Sequence, residues 1–170
     1  PPPPARPLAM LYCTTPSPIG ELLLAGDGET LAALHMQDGR RPIRAQPGWT
    51  RSDEPFARAR GQLAEYFEGR RHSFDVPLNP AGRPFELAVW RALLEIPYGE
   101  TVSYGALARA LGRPAAARAV GLANARNPIA VIIPCHRVIG ADGSLTGYGG
   151  GLERKRLLLD LEAGVQALPV

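Results

Sequence analysis

Apolar positions fall into two textures along the chain, and the change comes near residue 80. Before it, short β-like runs at residues 11–15, 21–25 and 31–36 predict strands, broken by Pro16, Pro18, Gly20, Gly26 and Gly28. Residues 42–55 read as loop. Phe56, Ala59, Leu63, Tyr66 and Phe67 then recur at helical spacing, which predicts a helix over 56–67 stopped by Gly69. Alternation over 74–78 predicts one more strand, and residues 79–84, with Pro80, Gly82 and Pro84, read as a joint.

Beyond the joint the period becomes helical. Phe85, Val89, Ala92, Leu93 and Ile96 share a face over 85–96, with Trp90 beside them and Pro97 at the end. Ser103 is a suitable cap for a helix over 104–111 that points Leu107, Ala108 and Leu111 inward and closes at Gly112. Pro114 suits the first turn of a helix over 115–125, and the pair reads as a helix-turn-helix. A glycine-rich loop over 140–151 leads into a last helix over 152–162. The expectation is an α+β fold: a Pro-rich tail (1–8), a small N-terminal lobe (9–80) with a short antiparallel sheet and a helix, and a helical C-terminal lobe (81–170).

Composition narrows the class. An apolar fraction of 45% is globular, and 170 residues bury enough surface to fold without disulfides or metal. No run of 18 or more apolar residues suggests a membrane span, and the proline-rich start does not have the layout of a signal peptide. The two cysteines, Cys13 and Cys135, are therefore expected as free thiols in a reducing cytoplasm. His35 and His72 stand alone and there is no C-x-x-C pair, so a zinc site is hard to build and no metal is expected.

Charge placement says more than the net +3. Residues 1–82 carry nine basic and nine acidic side chains, so the whole excess lies beyond them. Between Glu100 and Asp142 stand five arginines (Arg109, Arg113, Arg118, Arg126 and Arg137) and no acid, a footprint for a polyanion or else a solvated basic face. The helix over 115–125 carries mainly alanines with one long polar side chain, Arg118, on its length. A helix that reads bases in the major groove carries more donors and acceptors. Small residues suit either close approach to a minor groove or plain helix packing.

The chemistry concentrates in Ile132-Ile133-Pro134-Cys135-His136-Arg137-Val138-Ile139-Gly140. A thiol with pKa near 8.5 is only a few per cent thiolate at neutral pH, and a base or cation beside it raises the reactive fraction. Neighbours in sequence rarely face each other, so His136 would reach Cys135 through a bent backbone, which Pro134 favours, or through a water.

This segment resembles the active-site signature of the O6-alkylguanine-DNA alkyltransferases (methylated-DNA–protein-cysteine methyltransferases). The resemblance runs from Thr15-Pro16-Ser17-Pro18-Ile19-Gly20 through Ile96-Pro97-Tyr98-Gly99-Glu100-Thr101, Ser103-Tyr104, Ala117-Arg118-Ala119-Val120-Gly121 and Asn127-Pro128. It ends in Thr146-Gly147-Tyr148-Gly149-Gly150-Gly151 and the final helix with Glu162. It implies single-turnover transfer of the alkyl group of O6-alkylguanine in double-stranded DNA to Cys135, with O4-alkylthymine left open. It also implies base flipping from the minor groove and a monomer in solution, with cooperative assembly on DNA left open. Cys135 would be the acceptor, His136 its base through a water, and Glu162 the group orienting the imidazole. Tyr104 would protonate the leaving guanine, and Asn127 would brace the turn that presents Cys135. Arg118 would fill the gap left by the flipped nucleotide, with Ala117, Ala119, Gly121 and Arg126 along the same DNA face. Tyr148, Gly149 and the backbone around Val138 would line the base pocket.

Cys13 and His35 do not fall where some eukaryotic members keep zinc ligands, and no four-cysteine site is present. Gly149 stands where a serine or alanine is common, and with Gly150 it is expected to leave a pocket wall without side chains, with room for adducts larger than methyl. Two other classes fit the sequence less well. A non-catalytic lesion-binding protein of the same lineage would lack Cys135, and a helix-turn-helix regulator would need a second helix richer in polar groups. A thiol hydrolase would need turnover without DNA.

Overall fold

The computed structural model describes residues 10–37 and 44–165; the predicted tail, the first two residues of the predicted loop over 42–55 and the last five residues lie outside these. The N-terminal half is a four-stranded sheet in the order β3-β2-β1-β4, with β1 at Leu11–Thr15, β2 at Leu22–Gly26 and β3 at Leu31–Met36. These three strands are antiparallel, in a register that sets Cys13 opposite Leu24 and Leu24 opposite Leu34. All three residues are fully buried. The sheet rests on α1 (Ala57–Phe67), which turns Ala59, Leu63, Tyr66 and Phe67 inward. The fold is the expected α+β arrangement.

Two features of this half differ from the sequence expectation. A two-residue strand, β4 (Thr50–Arg51), lies in the segment read as loop and pairs parallel with β1. Two residues are too short for any period to register. Residues 74–78 do alternate in burial, but they make no strand: a single bridge joins Leu78 to Leu31. Pro77 has no N–H to extend a ladder, and only its carbonyl is used, accepting from Leu31 N at 2.8 Å.

The second half is built on α2 (Pro84–Leu94), α3 (Tyr104–Ala110), α4 (Ala117–Ala125) and α5 (Leu152–Glu162). Ser103 Oγ accepts from Ala106 N at 3.0 Å and so caps α3. Pro114 lies in the turn before α4 and not in its first helical residues. Trp90 ties α2 to α4, donating from Nε1 to the Ala123 carbonyl at 2.9 Å. A second small sheet escaped the sequence: β5 (Val102–Ser103) pairs parallel with β6 (Val138–Ile139), linking the start of α3 to the segment after Cys135.

One hydrophobic core serves both halves, running from Cys13 and Leu24 through Tyr66 and Trp90 to Ile133 and Leu158. The free edge of β3 is closed by the other half: Leu34 N donates to Pro128 O at 2.9 Å, and Ala130 N donates to Leu34 O at 3.0 Å. An edge strand thus grips the stretch that leads to Cys135. Among the described residues, no helix is long and apolar enough to cross a membrane.

Candidate active site

Residues 127–135 turn sharply, and Asn127 holds the turn. Its Nδ2 donates to Ile133 O at 2.7 Å, while its Oδ1 accepts from Ile129 N at 3.0 Å. Inside this clamp Val131 has φ 69°, a left-handed value that a buried β-branched residue rarely adopts. Ile132 N reaches back to Ala130 O at 2.8 Å, closing a γ-turn of the strained hand. A second γ-turn, of the relaxed hand, forms at Pro134 (φ −82°, ψ 64°), where Cys135 N donates to Ile133 O at 2.8 Å. The bend then passes into a single 3-10 turn over Cys135–Arg137. Asn124, on α4, donates from Nδ2 to the Cys135 carbonyl at 3.3 Å, which connects the exposed helix to the cysteine.

Behind Cys135 sits a closed set of charges centred on Glu162. Its Oε2 accepts from His136 Nε2 and from the Tyr66 hydroxyl, each at 2.6 Å. Its Oε1 accepts from Arg137 Nε at 2.7 Å and from Gly99 N at 3.2 Å. Gly99 has φ 80°, a conformation that a glycine adopts without strain and that aims its N–H at the carboxylate. Arg137 donates further from Nη2 to Oε2 at 3.1 Å and from Nη1 to Ile96 O at 2.6 Å. His136 is fully buried and Glu162 nearly so.

Burial alone would raise the Glu162 carboxyl. The hydrogen bonds from His136, Arg137 and Tyr66 overcome it and hold the group at about 2. His136 goes the other way: burial pushes its pKa down, against the opposing pull of Glu162. A neutral imidazole that donates from Nε2 keeps its lone pair on Nδ1, which has no protein partner among the described residues. Burial also raises the Cys135 thiol, partly offset by Asn127, by the Lys155 charge and by backbone N–H groups. Cys135 therefore rests as a thiol beside an unprotonated base.

Lys155 is fully buried on α5, its ammonium donating to Val138 O at 2.6 Å and Thr146 O at 2.8 Å. It places a positive charge within reach of Cys135 and pins the glycine-rich loop to β6. Cys135 opens into a cavity of about 390 Å³ lined also by His35, Met36, Asn124, Arg126, Asn127, Tyr148 and residues 149–150. Volumes of roughly 300–1,000 Å³ are usual for small-molecule sites. The Tyr148 hydroxyl and Asn124 Oδ1 are buried here without protein partners among the described residues.

The other sequence-predicted residues are placed as follows. Tyr104 stands outside the cavity lining, with its hydroxyl 3.2 Å from the Thr146 carbonyl. Val138 is buried outside the cavity lining and contributes its carbonyl to Lys155. Arg118 and Ala119 are exposed on α4, Ala117 and Gly121 are half-buried, and Arg126 at its C-terminal end is exposed. At Gly149 an added Cβ would meet nothing, whereas at Gly150 it would run into the Met36 sulfur. The wall at Gly149 is thus open as expected, but the space at Gly150 is already filled from β3.

Sequence reasoning missed Lys155, Tyr66, Met36 and His35 as parts of the site, and gave Arg137 no role in it. Lys155 left a signal: it shares a face with Leu158, Leu161 and Glu162, where a lysine is out of place unless paired. Tyr66 and Met36 looked like ordinary core residues. Among the described residues no group of three or more His, Cys, Asp and Glu side chains is arranged to hold a metal ion.

A buried Cys135, His136 and Glu162 behind the paired helices α3 and α4 mark a protein with thiol chemistry, and comparison with known proteins makes the class specific. Residues 84–164 match the family model "6-O-methylguanine DNA methyltransferase, DNA binding domain", and residues 10–80 match "6-O-methylguanine DNA methyltransferase, ribonuclease-like domain". The chain belongs to the 6-O-methylguanine DNA methyltransferase family. A methylated-DNA–protein-cysteine methyltransferase of Methanosarcina acetivorans is 54% identical over 90% of this chain and 98% of its own. Its Mycobacterium tuberculosis counterpart (strain H37Rv) is 56% identical over 89% and 91%. The crystal structure of M. tuberculosis OGT in complex with DNA superposes with a TM-score of 0.86, at 54% identity, covering 91% of this chain and 94% of that one. The protein from Pyrococcus kodakaraensis, at 24% identity and a TM-score of 0.63, shares the fold.

Proposed function

We propose that this protein restores alkylated guanine in double-stranded DNA by moving the alkyl group from O6 to Cys135, once per molecule. The observation that carries the reading is Cys135 opening into a base-sized cavity while His136, hydrogen-bonded to a buried carboxylate, stands behind it with Nδ1 unengaged. The family and the DNA complex of the M. tuberculosis relative supply the substrate class.

In this mechanism the Cys135 proton passes to His136 Nδ1 through a bridging water, and Glu162 stabilises the imidazolium that forms. The sulfur attacks the alkyl carbon, a C–S bond forms, and the C–O6 bond breaks with its electron pair going to the purine. Tyr104 protonates the leaving guanine ring, and the imidazolium proton, passed through solvent, restores the Tyr104 phenol and leaves His136 neutral. The product thioether is not regenerated, so the reaction is stoichiometric. The unpartnered Tyr148 hydroxyl and Asn124 Oδ1 offer a donor and an acceptor to the flipped base. Asn127 braces the loop, and Gly149, with the backbone at Val138, leaves the base room.

DNA binding is assigned to the exposed face of α4. Arg118, Ala119, Leu122, Ala125 and Arg126 are exposed there, a smooth, weakly basic surface suited to a minor groove, with Arg118 inserted where the nucleotide leaves. Ala117 and Gly121 keep the helix close to the backbone. The protein acts as a two-lobed cytoplasmic monomer, the lobes dividing at residue 80, without a cofactor.

The test is intact mass and peptide mapping after incubation with a duplex carrying one O6-methylguanine. One added methyl group on the Cys135 peptide, equal in amount to the restored guanine, is the expected result. Tight binding of the duplex with no mass gain would replace this reading with a lesion-binding one.

A further inference from the structure

We propose that Tyr66, on α1 of the N-terminal half, is a positioning residue for this reaction: its hydroxyl holds the Glu162 carboxylate in the orientation that aligns His136. The proposal rests on the alkyl-transfer reading and extends it, because it gives α1, which does not line the Cys135 cavity, a part in the chemistry.

Tyr66 is fully buried, and its hydroxyl donates to Glu162 Oε2 at 2.6 Å, the oxygen that also takes His136 Nε2 at 2.6 Å. Oε1 is held separately by Arg137 and Gly99. With both oxygens engaged from different elements, the carboxylate plane has little freedom to rotate, and the imidazole it orients has little more. The phenol ring is itself wedged: Phe67 and Tyr98 meet it edge-on, with centroids at 5.3 Å and 6.1 Å, and Phe74 lies tilted at 5.5 Å. A core needing only apolar volume here would be filled by phenylalanine; among the described residues the hydroxyl's hydrogen-bond partner is Glu162.

The electrostatics define what the hydroxyl does. His136 is faced by Glu162 and Lys155 from α5 and by Arg137 from its own turn, its backbone N–H turns to Cys135, and Tyr66 from α1 reaches it through Glu162. Tyr98, after α2, and Tyr148, from the glycine-rich loop, lie near Glu162 in the same cluster. Burial, then the Glu162 charge, keeps the Tyr66 phenol protonated, so it always donates. A donor on Oε2 draws charge from the carboxylate and moderates its hold on the imidazole proton. His136 is then neutral and ready to take the thiol proton, yet oriented.

Tyr66→Phe removes the hydroxyl and keeps the ring. The imidazole titration of His136 is followed by NMR with labelled histidine, and the methyl-transfer rate is measured against pH. In Tyr66→Phe the His136 midpoint is expected to rise by on the order of one pH unit, the acid limb of the rate moving with it, while DNA affinity stays unchanged. A fluorinated tyrosine at position 66, a stronger donor, is expected to move both the other way, and it serves even if the Phe variant folds poorly. The proposal is overturned if neither replacement moves the His136 midpoint, or if the rate drops equally at all pH in step with thermal stability. Should the wild type gain no methyl group, the alkyl-transfer reading fails, while the His136 titration still decides the role of Tyr66.

Discussion

Replacing Glu162 with glutamine keeps the shape of the side chain and removes its charge, so it isolates what the charge contributes. The side chain is 1% exposed and accepts from His136, Arg137, Tyr66 and Gly99. Its carboxyl is held at about 2 against an ordinary 4.5, a difference of about 2.5 units, and each unit corresponds to about 1.4 kcal/mol. The ionised form is therefore worth about 3 kcal/mol over a neutral isostere. A second route agrees: removing one partner of a buried ion pair costs about 3–5 kcal/mol, because the other charge is left behind. Here that charge is Arg137, 7% exposed and left with the Ile96 carbonyl. Urea unfolding of Glu162→Gln at pH 7 should show a loss of about 3 kcal/mol with an unchanged m-value, and the melting temperature should fall by roughly 6–12 °C. Because the folded pKa is depressed, the contribution is complete above pH 4.5 and is lost as pH falls through 2, where variant and wild type converge. A loss under about 1 kcal/mol at pH 7 would refute the reasoning. It would mean that desolvating this cluster cancels its attractions.

Three further outcomes follow from particular contacts. Gly150→Ala pushes a Cβ into the Met36 sulfur and should lower the melting temperature, while the same change made in a Met36→Ala background should cost much less; equal losses with and without Met36 would show that the two residues do not meet. Lys155→Met removes the positive charge that lowers the Cys135 pKa, so labelling of Cys135 by a small alkylating reagent near neutral pH should slow roughly tenfold, judged by mass. His35 is half-buried and pushed down to about 4 by desolvation, so the unfolded chain takes up a proton at 6.5 before the folded one does. As pH falls from 6.5 to 4, wild type should lose about 2–3 kcal/mol more than His35→Leu in urea titrations, while both share the loss due to His136.

The sequence made some of this legible and hid the rest for physical reasons. Helices with a full apolar face and a stop signal, α1 and α2, were found to within two residues. Strands of five or six residues were also found, β2 with a shift of one. Strands β4, β5 and β6 were invisible, since two residues carry no period and their pairing depends on distant partners. The strand expected at 74–78 showed the right alternation without a ladder, because alternation reports one buried face and Pro77 denies the hydrogen bonds. In the site, Cys135, His136 and Glu162 were named because the resemblance covers them. Tyr66 and Met36 were not, because a side chain buried for chemistry and one buried for packing look alike in sequence.

That ambiguity bears on why the two halves stay together. Cys135, Glu162 and α4 all lie in the second half, which on that count alone would be sufficient. Three contacts argue otherwise. The β3 edge pairs with Pro128 and Ala130 on either side of Ile129 and so fixes one end of the strained turn at Val131. Left-handed backbone at a β-branched residue costs roughly 1–3 kcal/mol and persists only where neighbours enforce it. Arg154 on α5 donates to Ile19 O at 2.8 Å, which anchors the helix carrying Lys155 and Glu162 to the turn before β2. Tyr66 completes the carboxylate. Severing the chain near residue 80 would thus release the turn, the helix and the carboxylate together. The isolated second half should keep its exposed DNA-facing helix but lose Cys135 reactivity far more than DNA affinity, and equal losses of the two would show that α4 depends on the N-terminal half as much as the thiol does.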